Sequence, residues 1–230
     1  MVKLYGIGVG PGDPELITMK AVRILKDVDV AAIPVSKAEK ESVALSIARP
    51  YLKKDVKLVR LNFPMIKDQS ERDKYRKENA GIIKALILEN KSVVFLTLGD
   101  PLFYSTFIYL LEYLENEIEI EVVPGIYSFS AISSKMQTPL CKGDETVTVF
   151  TSFNEAKLQP LVEGGFGTIV FMKVSSYNKE LALFFEKNNL IENFIMVSNY
   201  GMNNEKVVTD VSELKEGKVD YLSTLILKTN

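Results

Sequence analysis

The 230-residue sequence contains no histidine and no tryptophan, and it has a single cysteine, Cys141. Without imidazole the chain lacks the commonest general base and the commonest metal ligand. Its chemistry must come from carboxylates, hydroxyls, lysines, backbone groups or a bound reagent, and no metal site is expected. One cysteine allows no internal disulfide, which fits a reducing compartment, and a thiol nucleophile with no histidine to activate it is a poor reading. No run reaches the ~18 uninterrupted apolar residues of a membrane span. The opening "MVKLYGIGVG" enters a strand pattern without the apolar core and cleavage site of a signal peptide. A cytoplasmic protein with no membrane partner is expected. Lys and Arg total 28 against 30 for Asp and Glu, a net charge of -2 that gives no global field for nucleic acid.

What is present is ordinary globular material: 47% apolar and 25% charged residues, enough to bury a core in one large domain or two small ones. Strand patterns over 4–9, 30–33, 56–61, 93–98 and 118–123 alternate with helical ones, which predicts a parallel α/β sheet. Asp13 and Pro14 suit the cap and first position of a helix whose buried face is Ile17, Ala21, Ile24 and Val28. Phe103, Phe107, Leu110, Leu111 and Leu114 keep helical spacing. The small polar stretch after residue 124 reads as a helix plus linker. Beyond it come strands at 147–151, 168–172, 194–199, 206–209 and 221–227, the last suited to antiparallel pairing, and one helix around 178–187. The expected organisation is an N-terminal α/β domain over 1–123, a connection over 124–146 and a C-terminal α/β domain over 147–230.

Three loops could carry chemistry. "GIGVGPGD" has glycine at 6, 8, 10 and 12, but neither Gly6 nor Gly8 begins a G-x-G-x-x-G fingerprint, and the loop ends in Asp13-Pro14 rather than the Lys-Ser/Thr of a phosphate loop. Tight strand-to-helix packing explains these glycines as well as a ligand does. Gly99-Asp100-Pro101 follows a central strand, where open parallel sheets bind ligands. Asp100 there is either a cap for the next helix or a carboxylate aimed at a cationic ligand. "VVPGIYSFSA" at 122–131 repeats the arrangement of strand, Pro-Gly turn and small-residue helix start.

In this order, "GIGVGPGDPELITMKA" (6–21), "LGDPLFYSTF" (98–107), "VVPGI" (122–126) and "VFMK" (170–173) resemble the tetrapyrrole methylase family, which transfers methyl groups from S-adenosylmethionine. "FPM" at 63–65 together with "GDPLFYSTF" is similar to the branch that methylates carbon 20 of the macrocycle in cobalamin synthesis. The resemblance implies a homodimer of chains with two α/β lobes, of the class III methyltransferase type, with the cofactor cleft between the lobes. It implies cofactor contacts at Pro11, Leu98, Gly99, Asp100, Phe103, Tyr127, Ser128, Met172 and Gly201, release of S-adenosylhomocysteine, and Tyr104 near the reacting carbon. The implied substrate, cobalt-factor II or precorrin-2, carries eight carboxylates, for which Lys37, Lys40, Lys67, Arg72, Lys142 and Lys173 are candidate partners. One departure is Lys135 in "SSKMQTPL", where relatives carry smaller apolar residues. Still open are a same-fold methylase of another tetrapyrrole carbon or of a macromolecule (diphthine synthase or ribosomal RNA methylase type) and a cofactor-binding sensor.

Overall fold

The protein is described by a computed structural model over residues 2–36, 42–114 and 116–229. It divides into two compact units, Met1–Tyr127 and Ser128–Asn230.

In the first unit, strands β1 (Leu4–Gly8), β2 (Val30–Val35), β3 (Lys57–Asn62), β4 (Val93–Thr97) and β5 (Ile120–Val123) alternate with helices α1 (Met19–Leu25), α2 (Val43–Ala48), α3 (Gln69–Leu88) and α4 (Phe107–Leu114). All strand pairs are parallel, in the order β3-β2-β4-β1-β5. Because successive side chains leave opposite faces, Ile7, Ala31, Val94 and Leu96 meet α1 and α2 on one face. Leu4, Val30, Val93 and Phe95 meet α3 and α4 on the other. The chain runs outward from β2 to β3 and then returns to β4, which brings the carboxyl ends of β1 and β4 together at the centre of the sheet.

Two helix starts differ from expectation. Asp13 caps only a short 3-10 turn, accepting from the Glu15 amide, and α1 begins after Thr18, whose hydroxyl accepts from the Ala21 amide. α4 begins at Phe107 rather than near Phe103, because Ser105 Oγ accepts from the Phe107 amide and ends the preceding turn.

At the opposite end of the sheet, Asp29 joins the starts of β2 and β4. Its Oδ2 accepts from both the amide and the hydroxyl of Ser92, each at 2.9 Å, and Lys53 Nζ lies 3.2 Å from Oδ1. The Ser92 amide, then its hydroxyl, lower the Asp29 pKa to about 2. An Asp in an unfolded chain titrates near ~3.9, so the unfolded state takes up the proton first. The stabilisation is full above pH ~4 and is lost as pH falls toward 2. Asp29→Asn should therefore flatten the acid limb of a pH-stability curve in that window. An unchanged limb would show that Asp29 does not drive acid unfolding.

In the second unit, β6 (Thr146–Phe150), β7 (Gly167–Met172), β8 (Phe194–Ser198), β9 (Lys206–Val208) and β10 (Ser223–Lys228) form a sheet in the order β6-β7-β10-β8-β9. β6 and β7 are parallel, and the other pairs are antiparallel, as the alternation of the last strand predicts. Helices α6 (Glu155–Gly164), α7 (Asn178–Lys187) and α8 (Val211–Glu216) accompany the sheet, and Phe171, Phe184, Phe185 and Phe194 share one core with Leu158 and Leu214. On the other side, Ile132 of α5 (Ser128–Lys135) packs with Val197 and Ile226. α6 and α8 go beyond the single helix expected here. Pro160 lies inside α6 and has no amide to donate, so propensity hid this helix. Its Asn154 cap and left-handed Gly165 stop were the legible signals. Lys135, the departure noted above, ion-pairs with Glu205 and lies over the Tyr200 ring. Its charge is thus accommodated at the end of α5 rather than buried among apolar groups.

Candidate functional site

Three corners meet at the carboxyl edge of the first sheet, following β1, β4 and β5. The β1 and β4 corners are joined by backbone: the Gly99 amide donates to the Gly10 carbonyl at 2.7 Å, and the Gly10 amide returns the bond to Gly99 at 3.3 Å. The β4 and β5 corners are joined by Asp100. This buried carboxylate accepts from the Leu102 amide through Oδ1 at 2.8 Å and from the Gly125 amide through Oδ2 at 3.0 Å. It is therefore both the local turn cap and a tie to a loop 25 residues away.

The glycines permit this closeness. A Cβ on Gly125 would stand 2.0 Å from the Gly99 carbonyl oxygen, and one on Gly8 would stand 2.5 Å from the same oxygen. Both contacts are with backbone, which has no rotamer by which to retreat. Gly99 itself has φ +72°, and among the described residues no atom lies within 4 Å of where its missing Cβ would be. The corner thus turns open backbone outward, a cradle into which a ligand can approach the chain closely.

Aromatic rings line this edge. Phe103 lies 4.8 Å from Tyr104 in an edge arrangement and 4.8 Å from Tyr127 in a tilted one. Burial raises the Tyr127 pKa, and the nearby Asp100 charge adds to the shift. Tyr127 stays a neutral phenol, able to donate a hydrogen bond. Tyr104 is 47% exposed and has φ +51°, a conformation that costs a non-glycine residue about 1–2 kcal/mol. Such strain persists only where the surroundings hold it, and a functional role is one reason for it. Tyr104→Gly should hold stability to within about 1 kcal/mol in urea unfolding, since strain relief offsets glycine's extra chain entropy, while turnover drops at least tenfold. Undiminished turnover would reduce Tyr104 to a surface residue.

Of the expected site residues, Pro11, Leu98, Gly99, Asp100, Phe103, Tyr104 and Tyr127 lie on these corners, with Pro11 buried. The others belong to the second unit. Ser128 Oγ is 2.8 Å from Thr224 Oγ1, and Thr224 pairs with Met172 across β10 and β7, so Ser128 and Met172 both lie beside Thr224. Gly201 has φ +72° and donates its amide to Glu205 at 2.8 Å. Among the basic candidates, Lys67 and Lys142 are exposed, and Lys37 and Lys40 lie outside the described residues. Lys173 is left-handed, with φ +59°, and burial lowers its pKa. The sequence reading missed Gly8, Gly125 and Thr224. The every-second-residue glycine pattern was a visible signal for Gly8, whereas the Ser128 to Thr224 contact spans 96 positions and had none.

The profile of the tetrapyrrole (corrin/porphyrin) methylases matches residues 3–215. The chain is 37% identical to a probable cobalt-precorrin-2 C(20)-methyltransferase of Methanocaldococcus jannaschii, over 98% of this chain and 96% of that protein. It is 31% identical to the cobalt-precorrin-2 C(20)-methyltransferase of Salmonella typhimurium, over 98% and 95%. Among solved structures, a cobalt precorrin-4 methyltransferase of cobalamin biosynthesis superposes with a TM-score of 0.76 at 25% identity, covering 98% of this chain and 94% of its own. With three glycine-lined corners at one sheet edge and a match running nearly from end to end, the chain belongs to the tetrapyrrole methylase family.

Proposed function

We propose that this protein transfers a methyl group from S-adenosylmethionine to carbon 20 of a tetrapyrrole in corrin synthesis, with cobalt-factor II favoured over metal-free precorrin-2. The observation that carries this reading is the near-full-length likeness to two relatives named for C(20) methylation. We further propose that it works as a homodimer in the cytoplasm. Among the described residues no helix is long and apolar enough to cross a membrane.

The donor would supply an electrophilic methyl on a sulfonium, so the protein need furnish no nucleophile and no histidine. Its own residues position. Gly99 and Pro11 would present backbone to the ligand, Phe103 and Tyr127 would pack against it, and Met172, Ser128 and Gly201 are further proposed cofactor contacts. Asp100 would keep the β4 and β5 corners at the spacing this needs, and its net negative charge favours a cationic guest. Tyr104 would lie beside the accepting carbon. Alignment of donor and acceptor along one line is the main catalytic contribution, and it is worth several orders of magnitude in rate.

The test is anaerobic turnover with S-adenosylmethionine and, separately, cobalt-factor II and precorrin-2, with the product located by mass spectrometry and NMR. One methyl at carbon 20 supports the reading, and the faster substrate assigns the preference. Methylation at another carbon, or none with either macrocycle, overturns it.

A further inference from the structure

In the second unit a single carboxylate serves two elements with its two oxygens. Glu205 closes the loop between β8 and β9. Its Oε2 accepts from the Gly201 amide at 2.8 Å, while its Oε1 pairs with Lys135, the last residue of α5. The Glu205 side chain is 15% exposed and that of Lys135 is 47% exposed. Lys135 also lies over the Tyr200 ring, 5.5 Å from its centroid, so it meets the loop near both of its ends. Burial alone would raise the Glu205 pKa, but Lys135 and then the Gly201 amide outweigh it and lower it, which keeps the carboxylate charged.

The loop has a shape that needs holding. Asn199 has φ +52° and Gly201 has φ +72°, two left-handed residues within three positions. Asn199 is fixed by its neighbours: its backbone amide donates to the Leu222 carbonyl at 2.9 Å, and its side-chain amide donates to Asp220 at 2.8 Å. Gly201 is different. Glycine on its own does not choose between left- and right-handed backbone, so the conformation at Gly201 leans on the bond from its amide to Glu205.

α5 connects this loop to a second proposed cofactor contact. Ser128 is its first residue and Lys135 its last, about 10 Å apart along the helix axis. The start is held to β10 by the 2.8 Å contact of Ser128 with Thr224, and the middle packs through Ile132 with Val197 and Ile226. The end is held to the loop by Glu205. A helix fastened at both ends acts as a strut between Ser128 and the Gly201 turn. An ion pair with one partner half exposed adds little to stability, so the contribution of this one lies in spacing.

We infer that Glu205, held by Lys135, is a positioning residue for the cofactor: it sets the Gly201 turn and fixes its distance from Ser128. This rests on the cofactor contacts proposed above. It deepens that reading by naming a pair that acts through those contacts. Cofactor affinity should then fall in proportion to the fraction of molecules whose loop keeps the competent form.

The test uses the full chain, with S-adenosylmethionine binding followed by calorimetry and hydrogen exchange of the Gly201 amide followed by NMR. Glu205→Ala should speed exchange at Gly201 and weaken S-adenosylmethionine binding about tenfold, the loss expected if the loop keeps the competent form about a tenth of the time. Lys135→Met should weaken binding about threefold, in keeping with a half-exposed pair, and Lys135→Arg should retain wild-type affinity. Because Lys135 acts through Glu205, the double variant should bind no more weakly than Glu205→Ala alone. In turnover the KM for S-adenosylmethionine should rise while the KM for the macrocycle stays. If Glu205→Ala fails to fold, the contrast between Lys135→Met and Lys135→Arg decides. Wild-type affinity in the folded variants, additive losses, or faster exchange throughout β8 and β9 would overturn the inference alone, since the pair would then be merely structural. No S-adenosylmethionine binding by the wild type would overturn both the inference and the proposed function. Glu205-dependent binding without carbon-20 methylation would overturn only the assigned reaction.

Discussion

Gly125→Ala is expected to unfold or badly distort the first unit and to remove turnover with it. The added methyl would lie 2.0 Å from the Gly99 carbonyl oxygen and 2.9 Å from both Cα and C of Gly8. All three contacts are with backbone of strand-to-loop corners, so relief requires moving one corner off another. Overpacking of a well-packed site usually costs 1–3 kcal/mol, and here the opposing atoms cannot change rotamer. We expect about 3 kcal/mol or more in urea unfolding and loss of S-adenosylmethionine binding by calorimetry. Gly81→Ala is the matched control. It lies in α3, where among the described residues nothing comes within 4 Å of a Cβ added there, so alanine should be neutral or stabilise by up to about 1 kcal/mol. A Gly125→Ala protein with native stability and native cofactor affinity would mean that the three corners do not interlock.

Asp100→Ala carries the second large effect, for a reason not visible in its own segment. Removing the carboxylate leaves the Leu102 and Gly125 amides without their acceptor. A buried donor stripped of its acceptor costs about 1–3 kcal/mol, so a stability loss of about 2–5 kcal/mol is expected, together with at least a tenfold loss of S-adenosylmethionine affinity. Asp100→Asn separates the two roles proposed for this residue. The amide side chain keeps one carbonyl acceptor and no charge, so it should recover about half of the stability. If the negative charge also attracts the cationic cofactor, Asn will bind more weakly than its stability implies. A folded Asn variant with wild-type affinity would leave Asp100 as a tie between corners and nothing more.

Much of this was legible locally. Alternating strand and helix periods gave the parallel sheet, and the Gly-Asp-Pro and Pro-Gly turns marked two corners at its carboxyl edge. What escaped was contact between distant positions. Asp100 could be read as a cap because its bond to Leu102 is two residues long, but its bond to Gly125 depends on β1 lying between β4 and β5. The alternate glycines could be read as tight packing, yet not as packing against the Gly99 carbonyl. α6 was hidden by Pro160, since a proline penalty outweighs a short apolar stripe made by Leu158, Leu161 and Val162. Lys135 looked misplaced until Glu205, 70 residues later, supplied its counter-charge.

The order of strands also bears on how the chain is made. The first sheet has every strand once residue 123 has been synthesised, whereas β10, which sits between β7 and β8 in the second sheet, is not complete until residue 228. During synthesis the second sheet therefore waits for its central strand, with the facing edges of β7 and β8 open. Late, long-range pairings of this kind are slow and leave strand edges exposed. The two units thus carry unequal risk on the ribosome: the first can close early, while the second is vulnerable to aggregation until β10 has emerged.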